Sequence, residues 1–478
     1  MNSGFKNAAS LITAMIVMAG LVSACSFLPE REEPAAPEIP EQFSVEGGED
    51  DLSINWWEDF GSAELNRLVE EAFAGSFNLR QAEARLRQAR ATAVIAGGNL
   101  YPEVNLEAAG GAIRARTDGG TTTTENYSLG LAASYEIDLW GRVRSTANEA
   151  DTLVLASSAN LATARITLAA EVTDRWLSIV ELKSQLELVR GQLETNRTYL
   201  ELLLLRQRKG QATALAVFQQ KQVVAGTESL IPLLDSQLAT TRYELAVLLG
   251  RPPRSNIGLV SDQIPVLSPL PEIGLPSQLL ENRPDIRSAY FRLESSDWGV
   301  SAARANRLPA LALTASVGYR SVEFDDLFDN WFAGFAGALL APLIDGGRRS
   351  AEADRALAVS EERLAYYRET VLNAFREVED ALVRENNQTD YINSLGNQLT
   401  AAKNALSEAL LRYRKGDIEY LDVLASITSV QSLEREVLSA RRDLLIYRVS
   451  LYRALGSRWS TAGMTKPECR RSGFRRNE

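Results

Sequence analysis

Tyr127-Ser128-Leu129-Gly130-Leu131-Ala132-Ala133-Ser134-Tyr135-Glu136-Ile137-Asp138-Leu139 places an apolar side chain at every odd position, with Ser128, Ser134, Glu136 and Asp138 between them. Successive side chains of a strand point to opposite faces, so this stretch predicts a strand with one apolar and one polar face. Trp140-Gly141-Arg142 ends the alternation, and from Arg142 to Arg208 there is no proline and a single glycine, Gly191. There Val172, Ile179, Leu186, Leu193 and Leu200 recur every seventh residue, with Leu182, Val189 and Leu203 three positions after three of them. That is the heptad seam of a helix packed lengthwise on neighbours, interrupted at Arg175 and Asn196. One helix over Arg142–Arg208 would be roughly 100 Å long at about 1.5 Å per residue. A strand long enough to cross a bilayer thus runs into a helix several times the width of an ordinary domain.

Working outward, the unit repeats. Leu205-Arg206-Gln207-Arg208-Lys209-Gly210 returns 206 positions later as Leu411-Arg412-Tyr413-Arg414-Lys415-Gly416, and Leu215 and Leu249-Gly250 return as Leu421 and Leu455-Gly456. Upstream, Leu79-Arg80, Ala82, Leu86, Pro102 and Gly111 match Ile286-Arg287, Ala289, Leu293, Pro309 and Gly318 at an offset of 207. Two copies of one unit therefore make up most of the chain.

In the first copy a helical region is expected over Ala63–Ala96, breaking near Gly75-Ser76 and stopped by Gly97-Gly98. A strand follows through Val104, Leu106, Ala108 and Ala112, then a solvated loop from Arg116 to Glu125, the Tyr127 strand, the long helix, and a return from Thr213 to Leu249. In the second copy a helix is expected over Ser277–Asn306, then strands through Leu311–Tyr319 and Trp331–Leu343, with an acidic and aromatic loop, Ser321–Asn330, between them. Ile344-Asp345-Gly346-Gly347-Arg348 turns the chain into a second long helix to Arg414, with Ile392, Leu399, Leu406 and Tyr413 at seven-residue spacing. Tyr420–Leu455 returns.

Composition excludes several functions. The net charge is -11, with no basic stripe, which argues against nucleic acid as a partner. Histidine is absent, removing the commonest general base and metal ligand, and no nucleophile motif or phosphate loop occurs, so no catalytic residue, cofactor or metal is expected. The two cysteines, Cys25 and Cys469, form no ligand or disulfide pattern. Lys6, an apolar stretch from Ala8 to Val22 and Leu21-Val22-Ser23-Ala24-Cys25 resemble a bacterial lipoprotein signal, which implies a covalent lipid on Cys25. Ser26, in place of aspartate, implies sorting to the outer membrane. The expected layout is a signal peptide at 1–24, a flexible tether at 25–54, the first repeat at 55–253, a connector at 254–276, the second repeat at 277–459 and a basic disordered tail at 460–478. No run of about 18 apolar residues follows residue 24, so strands must do any spanning.

Four strands per chain cannot close a transmembrane barrel, since about eight are the minimum and lipid tolerates no open edge. The chain must oligomerise, and three copies would supply twelve strands. Two αββαα units, the Trp56-Trp57 opening, the paired Arg-Lys-Gly turns and Phe375-Arg376-Glu377-Val378-Glu379-Asp380-Ala381-Leu382 resemble the TolC family of outer-membrane efflux proteins, in its OprM/NodT-like lipoprotein branch. The resemblance covers about Asn55 to Trp459. It implies a mainly α fold with a transmembrane β part: a homotrimer with a twelve-stranded barrel and a long coiled-coil-like helical barrel crossing the periplasm. It further implies a passive duct that meets a periplasmic adaptor protein and an inner-membrane pump of RND type.

The resemblance also assigns sites. A periplasmic gate falls on Asp422, with Asp417 and Glu419 as further acids; the family's second gate aspartate falls on Ala425. Acids in the first turn of a helix also simply favour its dipole. Arg206, Arg208, Lys209, Arg412, Arg414 and Lys415 flank the two turns, either as adaptor-docking cations or as dipole partners for helix C-termini. Tyr127, Trp140, Tyr319 and Trp331 are expected at strand ends as membrane-interface aromatics, in contact with outer-membrane lipid. Trp176, Trp298 and Trp459 are expected to pack on helices. The alternative is a non-conducting structural coiled-coil lipoprotein, which has no use for two-faced strands.

Overall fold

A computed structural model describes residues 40–45 and 54–456. The expected lipidation site Cys25, the expected signal peptide and tether up to residue 39, Trp459 and the basic tail with Cys469 lie outside the described residues. Each copy supplies two strands and two long helices. The first contains α1 (Ala63–Gly75), α2 (Phe77–Gly98), β1 (Glu103–Thr117), β2 (Gly120–Ile137), α3 (Arg142–Arg208) and α4 (Ala214–Leu248). The second contains α5 (Pro284–Ala305), β3 (Ala310–Ser321), β4 (Trp331–Leu340), α6 (Arg348–Lys415) and α7 (Tyr420–Leu455).

The two longest helices, α3 and α6, begin and end for the same local reasons. Asp138 accepts from the backbone N–H of Val143 and Arg144 at 3.0 and 2.9 Å, and Asp345 accepts from Gly347 and Arg349 at 3.1 and 3.3 Å. A carboxylate there satisfies orphan donors and meets the positive end of the helix dipole. At the other end Gly210 and Gly416 take φ of 70° and 83°, which lets Gln211 N–H reach Arg206 O at 2.8 Å and Asp417 N–H reach Arg412 O at 3.1 Å. These bonds close the left-handed glycine turn that ends many helices.

Several boundaries differ from expectation. The stretch Arg116–Glu125 is no loop: β1 runs to Thr117, Asp118-Gly119 turns, and β2 starts at Gly120, so the threonines Thr121–Thr124 pair across a tight hairpin. Asp-Gly is a two-residue hairpin signal, and β-branched threonine suits a strand. Tyr127 is consequently in mid-strand, not at a strand end. The Ser277–Asn306 helix is interrupted at Arg283, because Pro284 cannot continue the preceding single turn, Leu279–Asn282. β4 stops at Leu340, short of Pro342. Gly97-Gly98 are the last residues of α2. One 18-residue window of α3 reaches a mean hydropathy of 1.3 and would pass as a membrane span by composition. Leu168, Val172, Trp176, Leu177 and Ile179 of that helix are buried in a packed core.

The described chain forms two units. The first, containing Leu86–Ala156 and Ala289–Tyr367, holds the sheet, antiparallel throughout in the order β1-β2-β3-β4. Within it Gly130 pairs with Gly318, and a Cβ on Gly318 would lie 2.5 Å from Leu129 O and 2.6 Å from the Gly130 Cα. Only glycine fits where the two backbones approach so closely.

The second unit, containing Ser157–Ser288 and the chain from Arg368 onward, holds the main core. Trp56, Trp57 and Phe60 pack there with Trp176, Leu445, Val449 and Tyr452; the rings of Trp56 and Tyr452 stack at 5.3 Å. Trp176 donates to Glu64 at 2.8 Å. The connector after α4 has little regular structure, so side chains satisfy its backbone. Lys183 donates to Leu259 O and Ser261 O, Glu64 accepts from Val260 and Ser261, and Arg448 donates to Ser268 O and Pro269 O. Arg448 is itself buried in a two-bond pair with Glu385 at 2.6 and 3.0 Å. The Phe375–Leu382 motif buries Phe375, Val378, Ala381 and Leu382 and turns Glu377 to Arg283 at 2.9 Å.

Candidate functional site

Continuous register sorts the sheet's side chains. Directly paired residues share a face, so one face collects Val104, Leu106 and Ala108 of β1, Leu129 to Ile137 at odd positions of β2, Leu311 to Tyr319 at odd positions of β3, and Trp331, Ala333, Phe335 and Leu339 of β4. Leu106, Leu131, Val317, Phe335 and Leu339 are nonetheless exposed. The opposite face is mostly polar or small, with Glu103, Asn105, Glu107, Ser128, Ser134, Glu136, Thr314, Ser316, glycines and alanines, and carries Ile113, Arg320, Phe332 and Leu340 besides. From Leu311 to Tyr319 the apolar band runs about 27 Å along the strand at about 3.4 Å per residue, and its nine residues are the length a tilted strand needs to cross a bilayer. Beyond it that same face turns polar, with Glu125, Thr123, Arg114 and Arg116.

Tyr127, Tyr319 and Trp331 stand in adjacent rows at this border. The Tyr127 ring covers Gly110, and its hydroxyl points on to Glu125 at 3.0 Å, away from the apolar band. An amphipathic ring so oriented suits a water–hydrocarbon boundary. Trp140 follows the opposite end of β2 and is half-buried, its indole N–H donating to Pro309 O at 2.8 Å. Among the described residues β1 and β4 each leave an outer edge unpaired.

The two helix turns are brought together. Leu203, Ala216 and Val217 of the first copy share one buried cluster with Tyr420, Val423, Leu424 and Ile427 of the second. The Arg206 guanidinium lies 4.5 Å from the centre of the Tyr413 ring, and Arg412 pairs with Glu408 at 2.8 Å. Arg414 donates back to Leu410 O at 3.3 Å, while Arg208, Lys209 and Lys415 are exposed with no acidic partner among the described residues. Asp417, Glu419 and Asp422 are exposed around the second turn. Glu408, with Asp417 behind it, holds Arg412 in its charged form.

Asn196, which breaks the heptad seam, is fully buried and fully used. It exchanges amide hydrogen bonds with Gln431, donates to Thr227, and its backbone carbonyl accepts from the Gln220 amide, whose oxygen in turn accepts from the Tyr420 hydroxyl at 2.7 Å. Burial pushes the Tyr420 hydroxyl pKa far above its ordinary value, so it remains a donor. Arg175 instead turns out of the seam to Glu244 at 3.2 Å. This network was hidden in the sequence because a heptad pattern registers a polar residue only as an interruption. Among the described residues no cluster of three or more potential metal ligands occurs.

Residues 68–251 and 275–457 match, as two successive copies, the sequence pattern of the family described as outer membrane efflux protein. The chain belongs to that family. It is 33% identical over 461 residues to the pyoverdine export outer membrane protein OpmQ of Pseudomonas aeruginosa, covering 92% of this chain and 97% of that protein. The cation efflux system protein CusC of Escherichia coli strain K12 is 28% identical over 450 residues, covering 91% of this chain and 96% of that protein. The solved structure of the outer-membrane channel OprN superposes with a TM-score of 0.86 at 28% identity, over 91% of this chain and 99% of that one. As an outer membrane efflux protein it resides in the outer membrane and serves as the channel component of an export route; its relatives of known role are transport proteins.

Proposed function

We propose that three copies close one twelve-stranded barrel, β4 of each copy adding to β1 of the next, and that the helices of the three copies form a periplasmic duct. One observation carries the reading. β1–β4 present an apolar face of membrane height together with two edges whose backbone groups lipid cannot satisfy. Closure by identical copies removes both edges at once. In that arrangement Tyr127, Tyr319 and Trp331 form the outer interface belt, Trp140 the periplasmic one, and a lipid on Cys25 adds an anchor.

The duct makes and breaks no bond and uses no cofactor; an inner-membrane pump of RND type supplies the energy through a periplasmic adaptor. Arg206, Arg208, Lys209, Arg412, Arg414 and Lys415 offer a cationic surface to the adaptor. Arg208, Lys209 and Lys415 support this role in being exposed with no acidic partner among the described residues. Asp422, with Asp417 and Glu419, would form the gate. Three copies bring like carboxylates together on an axis, where they repel one another and attract cations. Relatives named for pyoverdine export and for cation efflux fit a duct whose cargo is chosen by the pump. The assembly is tested by the mass of the purified chain in detergent: three copies are expected, and a monomer under conditions that preserve the fold contradicts the reading.

A further inference from the structure

The β3–β4 loop, Val322-Glu323-Phe324-Asp325-Asp326-Leu327-Phe328-Asp329-Asn330, mixes large apolar and acidic side chains without one basic residue. Its shape is fixed locally: Leu327 is buried, Ser321 Oγ accepts from Glu323 N–H at 3.2 Å, and Leu327–Asp329 form a single helical turn. Yet Val322, Phe324 and Phe328 are 63%, 66% and 65% exposed. One exposed phenylalanine is ordinary, whereas a contiguous apolar patch rimmed by carboxylates signals a partner.

The direction of the loop identifies that partner. Phe324 meets the Tyr127 ring edge-on at 5.5 Å, and Phe328 meets the Tyr319 ring in the same way at 5.4 Å. Register places both tyrosines on the apolar face of the sheet, at the border where that face turns polar. The loop therefore bends toward the apolar side and continues it, with Trp331, 73% exposed, alongside. Phe332, by contrast, sits on the polar face under the Arg320 guanidinium, 5.0 Å from its ring centre.

We propose that this loop is a membrane-surface anchor. Phe324 and Phe328 lie at the boundary between acyl chains and headgroups of the leaflet the loop faces, and Glu323, Asp325, Asp326 and Asp329 stand in the hydrated headgroup layer. The inference rests on the reading of the apolar face as lipid-facing, and its partner is a lipid surface, not a second protein. Aromatic rings gain most at that depth, and carboxylates remain in water.

Photo-crosslinking tests it in isolated outer membranes holding the full chain. Benzoylphenylalanine replaces Phe324, Phe328, Phe335 or Phe332 in turn, each keeping the phenylalanine ring and extending it by a benzoyl group. Lipid adducts are expected at 335, in the middle of the apolar band, and at 324 and 328 with a yield within about threefold of 335; position 332 should give on the order of tenfold less. Adducts to lipid at 335 with none at 324 and 328, or with protein there instead, would overturn the anchor while leaving the barrel intact. Absence of lipid adducts at 335 would remove the lipid-facing sheet, and the anchor with it.

Discussion

The side-chain amides of Asn196 on α3 and Gln431 on α7 donate to each other, at 3.1 and 2.9 Å, in a helix contact that also carries Gln185 and Gln192 of α3 bonded to α7. Asn196 comes from the first copy and Gln431 from the second, so the pair joins the repeats and, through Gln220 and Tyr420, reaches the second turn. A buried amide pair fixes register because any slip leaves donors unpaired. Asn196→Leu alone strands the Gln431 amide and is expected to cost ~1–3 kcal/mol, while Asn196→Leu with Gln431→Leu should recover much of the loss. A double-mutant cycle by chemical denaturation measures this; additive losses would show that the two amides do not act as a unit.

Gly318 has no room for a side chain. A Cβ there would meet backbone atoms of Leu129 and Gly130, which cannot rotate away, whereas a Cβ at Gly111 in β1 meets nothing within 4 Å. Gly318→Ala should therefore exceed the about 1–3 kcal/mol of ordinary overpacking and sharply reduce membrane-inserted protein, with Gly111→Ala near wild type. Equal yields of the two variants in outer-membrane fractions would show that the sheet can spread at this point.

Asp174 on α3 gives stability a pH dependence. Its carboxyl is pushed up to about 7, chiefly by burial, with Arg453 and Arg175 opposing and Glu171 assisting the rise, and its Oδ1 has no hydrogen-bond partner among the described residues. Because the folded pKa lies above the unfolded one, the favourable contribution is complete below the unfolded value near 4 and is lost as pH rises through about 7. Asp174→Asn should raise the melting temperature at about pH 8 by several degrees, and the gain should vanish toward about pH 4. A gain independent of pH would place the effect elsewhere.

Among the described residues Arg414 has no ion pair, and it donates back to Leu410 O of its own helix. Arg414→Glu should weaken capture of the partner adaptor by about tenfold while leaving assembly unchanged, as expected for an interface cation. Unaltered capture would leave Arg414 as a helix-end cation alone.

Much of this was legible because periodicity reports burial directly. The change from period two to a heptad at Trp140-Gly141-Arg142 set the α3 boundary to the residue, and the seam Val172, Ile179, Leu186 and Leu193 is buried as its spacing requires. Polar threonines at 121–124 concealed a strand that runs past the apolar band before it ends, so Tyr127 falls in mid-strand. Contacts between copies, such as Arg206 on Tyr413, depend on packing between elements 200 residues apart, and no local pattern encodes them. Phe324 and Phe328 stood out in composition, but only the register says which side of the sheet they cover.

Single-channel recording of the purified protein in planar bilayers tests whether it is a duct with an acidic gate at the second turn. Discrete, cation-selective openings are expected, with conductance rising about twofold or more in Asp422→Ala as the charged constriction is relieved. An assembled, membrane-inserted ring that never conducts, even with Asp417, Glu419 and Asp422 all neutralised, would contradict it.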